Sequence, residues 1–101
     1  MRLLVVLVVW ASAGSAAAQD QNRRMFAPTV RAATECATRV LVSQGTTTAA
    51  TDEAIREGAR RAFGSQCRAE GLLLVSEHDR LYGAGTGRSF VDGPYFADFP
   101  R

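Results

Sequence analysis

Ser76-Glu77-His78-Asp79 sets a hydroxyl, two carboxylates and the only histidine of the chain in one run. These are the residue types of nucleophilic hydrolysis, in which a base activates a hydroxyl and a carboxylate orients the base. Such a constellation converges from distant segments, whereas consecutive helix positions point about 100° apart. His78 is therefore expected as a half-buried helix residue, ahead of a catalytic base or a metal ligand. Glu53 and Glu57 stand four apart, but Arg56, Arg60 and Arg61 surround them, the pattern of a solvated face. No catalytic residue, cofactor or metal is assigned, and the expectation is a protein that is not an enzyme.

The stretch "YGAGTGRSF", residues 82–90, raises a second chemistry, the cradling of a phosphate. A dinucleotide-binding turn reads G-x-G-x-x-G, directly after a strand and opening a helix. Gly83, Gly85 and Gly87 are spaced G-x-G-x-G, and Arg88 stands where the third glycine belongs. The phosphate loop of nucleotide hydrolases needs a lysine, and the chain has none. Seven residues separate the apolar run "LLLV" from Gly83, and Asp92-Gly93-Pro94 is turn chemistry. The glycines are expected to stop a helix at Gly83 and to link it loosely to the tail.

Cys36 and Cys67 are the only cysteines. Two thiols and one distant histidine make a poor structural zinc site, which uses four ligands. In a small exported chain the pair reads as one disulfide. It closes a loop of about 31 residues, for which chain entropy assigns roughly 3.5 to 4 kcal/mol.

The elements that hold these residues follow from periodicity. Pro28 suits a first helical turn, and Val30, Ala33, Ala37, Val40 and Leu41 then recur at spacings of three and four, with Cys36 at the border of the stripe. Arg31, Glu35 and Arg39 lie on the other side, and Gly45 is a left-handed stop. Thr51 is a helix cap, followed by Asp52 and Glu53 where the helix dipole favours negative charge. A second helix reads 52–70, burying Ile55, Ala59, Ala62, Phe63 and Cys67, with Glu57 and Arg61 as an outward pair. Gly71 is a candidate end, and Leu74, His78, Leu81 and Tyr82 share one face of a third helix or of a continuation. A level hairpin would leave the cysteines about 12 Å apart along the axis, too far for a disulfide. Either the "TTTAA" linker runs extended, the preferred solution, or the second helix bends at Gly64-Ser65. The fold class is all-α: a small two- or three-helix domain with one disulfide and an irregular aromatic C-terminal strap.

That strap, "RSFVDGPYFADFPR", holds Phe90, Tyr95, Phe96 and Phe99. The helices are alanine-rich and supply little bulk, so the rings are expected to fold back as cover. The alternative makes the same four residues candidate partner-binding groups, because Tyr and Phe are enriched at interface centres.

The chain opens "MRLLVVLVVWASAGSAAAQD": a basic start, an apolar run over residues 3–10 and a small-residue end. This is the pattern of a secretory signal peptide over residues 1–18, cut before Gln19. Residues 19–27 are polar and read as a flexible lead, and 28–101 as a single helical domain. After cleavage no stretch approaches the roughly 20 apolar residues of a membrane span. The mature charge is near zero without a basic cluster, which argues against nucleic acid. Arginine without lysine, beside abundant alanine, points to a GC-rich bacterial genome. The expected location is periplasmic or secreted, and the expected role an interaction or accessory module for a protein of the cell envelope. An envelope-stress, chaperone-like protein is the alternative, and an enzyme using His78 the third reading.

Overall fold

Thr51 Oγ1 accepts a hydrogen bond from the Ala54 N–H at 3.1 Å, so helix α2 (Asp52–Phe63) starts where its capping residue stands in the sequence. The computed structural model describes residues 2–46 and 50–99, and side chains from residue 16 onward. Helix α1 (Arg2–Ser43) precedes α2; α3 (Arg68–Tyr82), α4 (Thr86–Phe90) and a π-helical turn, Val91–Tyr95, follow it. The fold is all-α, with no strand among the described residues. Helix α1 packs against both α2 and α3, α4 packs on α3, and the π-helical turn packs on α4. Among the described residues no helix is long and apolar enough to cross a membrane.

The stripe expected on the first helix is its core face: Ala33, Ala37, Val40 and Leu41 are buried and Val30 is partly so. That helix begins much earlier than Pro28, however. Residues 19–27 continue α1 without a break, and Pro28 lies inside it. An interior proline costs about 3 kcal/mol. Two contacts anchor the segment before it. Phe26 is buried in the core, and Asn22 Nδ2 donates to the Leu81 carbonyl at 2.9 Å. Residues 19–27 are thus helical and anchored at Asn22 and Phe26, where a flexible lead was expected.

The cysteines meet through a break in the second helix. It ends at Phe63, and residues 64–67 form a tight turn in which the Cys67 N–H donates to the Ala62 carbonyl at 2.7 Å. The chain then reverses into α3, and the Cys36–Cys67 disulfide forms with Cα atoms 5.9 Å apart. The break at Gly64-Ser65, one of the two geometric solutions, is present. Residues 47–49, most of the linker expected to run extended, lie outside the described residues. Gly71 is interior to α3, where it lets the Phe63 ring approach the helix closely. Glu57 pairs with Arg60 one turn away, at 2.9 Å, instead of with Arg61.

The C-terminal strap is helical where an irregular path was expected. Gly83 ends α3, and Gly85, at φ 84°, turns the chain into α4. Gly87 then sits so close to α3 that a Cβ there would overlap the Val75 carbonyl. Its N–H donates to Asp79 Oδ1 at 2.7 Å. The glycine run is a docked corner between two helices, not a loose link.

Candidate functional site

Each member of the Ser76–Asp79 run is committed to the fold. Ser76 Oγ donates to the Leu73 carbonyl at 3.2 Å. Arg80 forks onto Glu77, Nε to Oε1 at 3.0 Å and Nη2 to Oε2 at 2.7 Å. This charge-assisted bond holds the Glu77 carboxyl below its ordinary pKa. Asp79 caps Gly87. An internal carboxylate therefore receives the N–H that a phosphate-binding loop would offer a ligand.

His78 sits among rings. Phe90 stacks on it at 4.7 Å between centroids, Tyr82 lies 4.5 Å away and Phe26 meets it edge-on at 5.3 Å. Thr86 Oγ1 donates to the Gly83 carbonyl at 2.6 Å, so it accepts from His78 Nδ1–H at 2.9 Å. That bond fixes the neutral tautomer with the proton on Nδ1. Burial pushes the His78 pKa below its usual value, and neighbouring Asp79 opposes the shift. The residue is half-buried on the face shared with Leu74, as its spacing implied.

The four candidate partner-binding aromatics are interior. Tyr95, Phe96 and Phe99 are buried and Phe90 is half-buried. Tyr95 contacts Phe63, Phe90, Phe96 and Phe99, at centroid separations from 5.3 to 6.2 Å. Its hydroxyl is 2.8 Å from Thr34 Oγ1, and Arg56 Nη1 donates to the Phe99 carbonyl at 3.2 Å. The rings supply the bulk that alanine-rich helices lack and cover the core.

One open groove lies on α1. A shallow groove of about 420 Å³ runs beside Phe26, Ala27 and Val30, with Arg23, Arg31 and Glu35 along its rim. Ion pairs among the described residues join only Glu57 to Arg60 and Glu77 to Arg80, so the two rim arginines have no carboxylate partner there. A second cleft of about 290 Å³, between α2, α3 and the strap, is edged by Arg60, Arg88 and Asp92. The α1 groove was missed in the sequence because residues 19–27 carry polar letters and only a helical reading brings Arg23, Ala27, Val30 and Arg31 into one row.

The second overlooked residue is Glu70, one turn after Cys67. A carboxylate oxygen of Glu70 and both cysteine Sγ atoms lie within 4.8 Å of one another. Glu70 Oε2 is buried and has no hydrogen-bond partner among the described residues. Three residues apart on a helix, Cys67 and Glu70 share a face, a spacing that was visible in the sequence.

No protein-family model matches this chain, and neither a curated protein nor a solved structure is significantly similar to it.

Proposed function

We propose that this chain is an exported, non-enzymatic interaction module of the cell envelope, and that it docks an acidic amphipathic helix of another envelope protein along the α1 groove. The observation that carries the reading is the apolar groove beside exposed Ala27, half-buried Val30 and the edge of the core at Phe26, flanked by Arg23 and Arg31, which have no carboxylate partner among the described residues. A groove along one helix face, about 18 Å from Arg23 to Glu35, suits a second helix laid against it. Arginine at an apolar rim favours carboxylates on the partner. The apolar N-terminal run ending in Ala16-Ala17-Ala18 and the disulfide support export into an oxidising space, with cleavage before Gln19. The commitment of Ser76, Glu77, His78 and Asp79 to packing and capping bonds supports a role without catalysis.

The test is site-specific photocrosslinking in living cells. A crosslinking side chain at Ala27 is expected to give one discrete adduct that a crosslinker at exposed Arg68 does not. Arg23→Glu with Arg31→Glu should abolish that adduct, and a synthetic helix from the captured protein should bind the purified chain. An adduct that forms equally at both positions, or that ignores the charge reversal, would refute the groove.

A further inference from the structure

We propose that the Cys36–Cys67 disulfide has a second state: once reduced, the two thiolates and Glu70 form a site for one zinc ion, with water as fourth ligand.

Three observations place the ligands together. Cys36 comes from α1, Cys67 from the turn before α3 and Glu70 from the first turn of α3, and one ligand atom from each falls within 4.8 Å of the others. Both cysteines are buried, Cys67 completely. Glu70 Oε2 is buried without a hydrogen-bond partner among the described residues, and burial of an uncompensated carboxylate oxygen is costly. The disulfide offers none, since bonded sulfurs carry neither charge nor proton. The first turn of α3 favours a carboxylate at Glu70, and a divalent cation between the three groups would also compensate the buried oxygen.

The geometry fits zinc. Zinc–thiolate bonds of about 2.3 Å at a tetrahedral angle set the two sulfurs about 3.8 Å apart. The Cα separation of 5.9 Å allows that distance after side-chain rotation alone. The zinc–carboxylate bond, about 2.0 to 2.2 Å, lies within reach of a group already beside both sulfurs. Two thiolates favour zinc over the hard cations magnesium and calcium. Three protein ligands leave one position for water. The sequence pointed away from metal because the fourth and third ligands were sought in histidine; the third is a carboxylate one helical turn from a cysteine.

The exchange balances. A dithiol reductant gives two electrons and two protons to the sulfur–sulfur bond, becomes a disulfide itself and leaves two protein thiols. Zinc then displaces both thiol protons, which pass to solvent, and the net charge at the three ligands and the metal falls to −1. The metal re-forms the link between α1 and α3 that the disulfide had supplied, so the same pair of helices is held together in oxidising and in reducing surroundings. The oxidised chain cannot take the ion, because its sulfurs have no lone thiolate to offer.

The experiment uses the whole chain reduced with a phosphine, which does not compete for metal as a thiol would, and freed of reductant under inert gas. Cobalt(II) is the spectroscopic probe and zinc the competitor. The expected result is one equivalent of cobalt bound with a thiolate-to-metal charge-transfer band and the visible spectrum of a tetrahedral centre, both erased by one equivalent of zinc. Glu70→Gln should weaken binding at least tenfold, while its oxidised form keeps the wild-type melting temperature within a few degrees. Cys36→Ser should lose the charge-transfer band. Where the reduced protein loses helicity without metal, zinc should restore the circular dichroism of the oxidised protein. A reduced chain that binds no cobalt, that binds it with equal affinity after Glu70→Gln, or that stays unfolded in excess zinc overturns the proposal.

Discussion

Around Cys36 and Cys67 the helices meet through Val40 and Ala62, side chains of modest volume, with only the edge of Phe63 beside them. Around Tyr95 they meet through a continuous run of rings, from Phe26 and Phe90 to Phe63, Phe96 and Phe99. The first region buries little apolar area and relies on a covalent bond. The second relies on bulk, with hydrogen bonds from Thr34 and Arg56 fixing the strap. A chain this short buries only about 60% of its unfolded surface, and alanine-lined helices lower the yield further. The two closures answer the same deficit by different means: one constrains the unfolded chain, the other adds contacts to the folded one.

Truncating the ring at the centre of the second region should have the larger effect. Tyr95 is fully buried, and Tyr95→Ala is expected to cost about 3 to 5 kcal/mol, read from urea unfolding. Tyr95→Phe keeps the ring and removes the hydroxyl that bonds Thr34, a change of about 1 kcal/mol. If the two variants were equally destabilised, the hydroxyl and not the ring would hold the strap.

Opening the first region comes next. Cys36→Ala with Cys67→Ala removes a link across 31 residues and should lower stability by about 3.5 to 4 kcal/mol. Hydrogen exchange locates the change. The double variant should speed exchange in α2 and in residues 64–67, whereas Tyr95→Ala should speed it in Val91–Tyr95 and the end of α3. Equal loosening everywhere in both would mean one cooperative core, and the contrast between the regions would fail.

The two regions also differ in how far they could be read from sequence. The disulfide, the α1 stripe, the Thr51 cap and the inward strap follow from cysteine count, a three-four spacing and a scarcity of bulk, all of them local or compositional signals. The exit of α2 at Gly64 does not, because Gly58, Gly64 and Gly71 all weaken a helix and only the need to bring Cys67 to Cys36 selects among them. Pro28 misled in the other direction. Its local preference for a first turn was overridden by Phe26 and Asn22, whose partners lie more than fifty residues away in the sequence. The helical form of the strap depends on Asp79 receiving the Gly87 N–H, again a contact that periodicity cannot report. The α1 groove and the Glu70 carboxylate are surface and orphan features, defined by what does not cover them, and such features emerge only once packing is known.

The smallest effect is electrostatic and belongs to the ring-built region alone. His78 lies between Tyr82 and Phe90, where burial lowers its pKa below the ordinary 6.5. Between the folded and unfolded values the unfolded chain binds more protons, so stability rises with pH across that window. The contribution is fully present above about pH 6.5 and is lost as pH falls through the folded pKa. Glu77, whose pKa is also lowered, contributes above its ordinary 4.5 and loses that contribution only in more acidic solution. A series of melting temperatures from pH 8 to about 5 therefore isolates the histidine. Wild type should lose stability over the lower part of this range, and His78→Gln should show a flatter profile. The disulfide does not titrate, so reduction should shift both curves downward without changing the difference between their slopes, provided the reduced chain is still folded. A wild-type curve that rises toward pH 5 would place a net stabilising charge on the imidazole, with the rings of Phe26, Tyr82 and Phe90 holding a cation in place of a neutral ring.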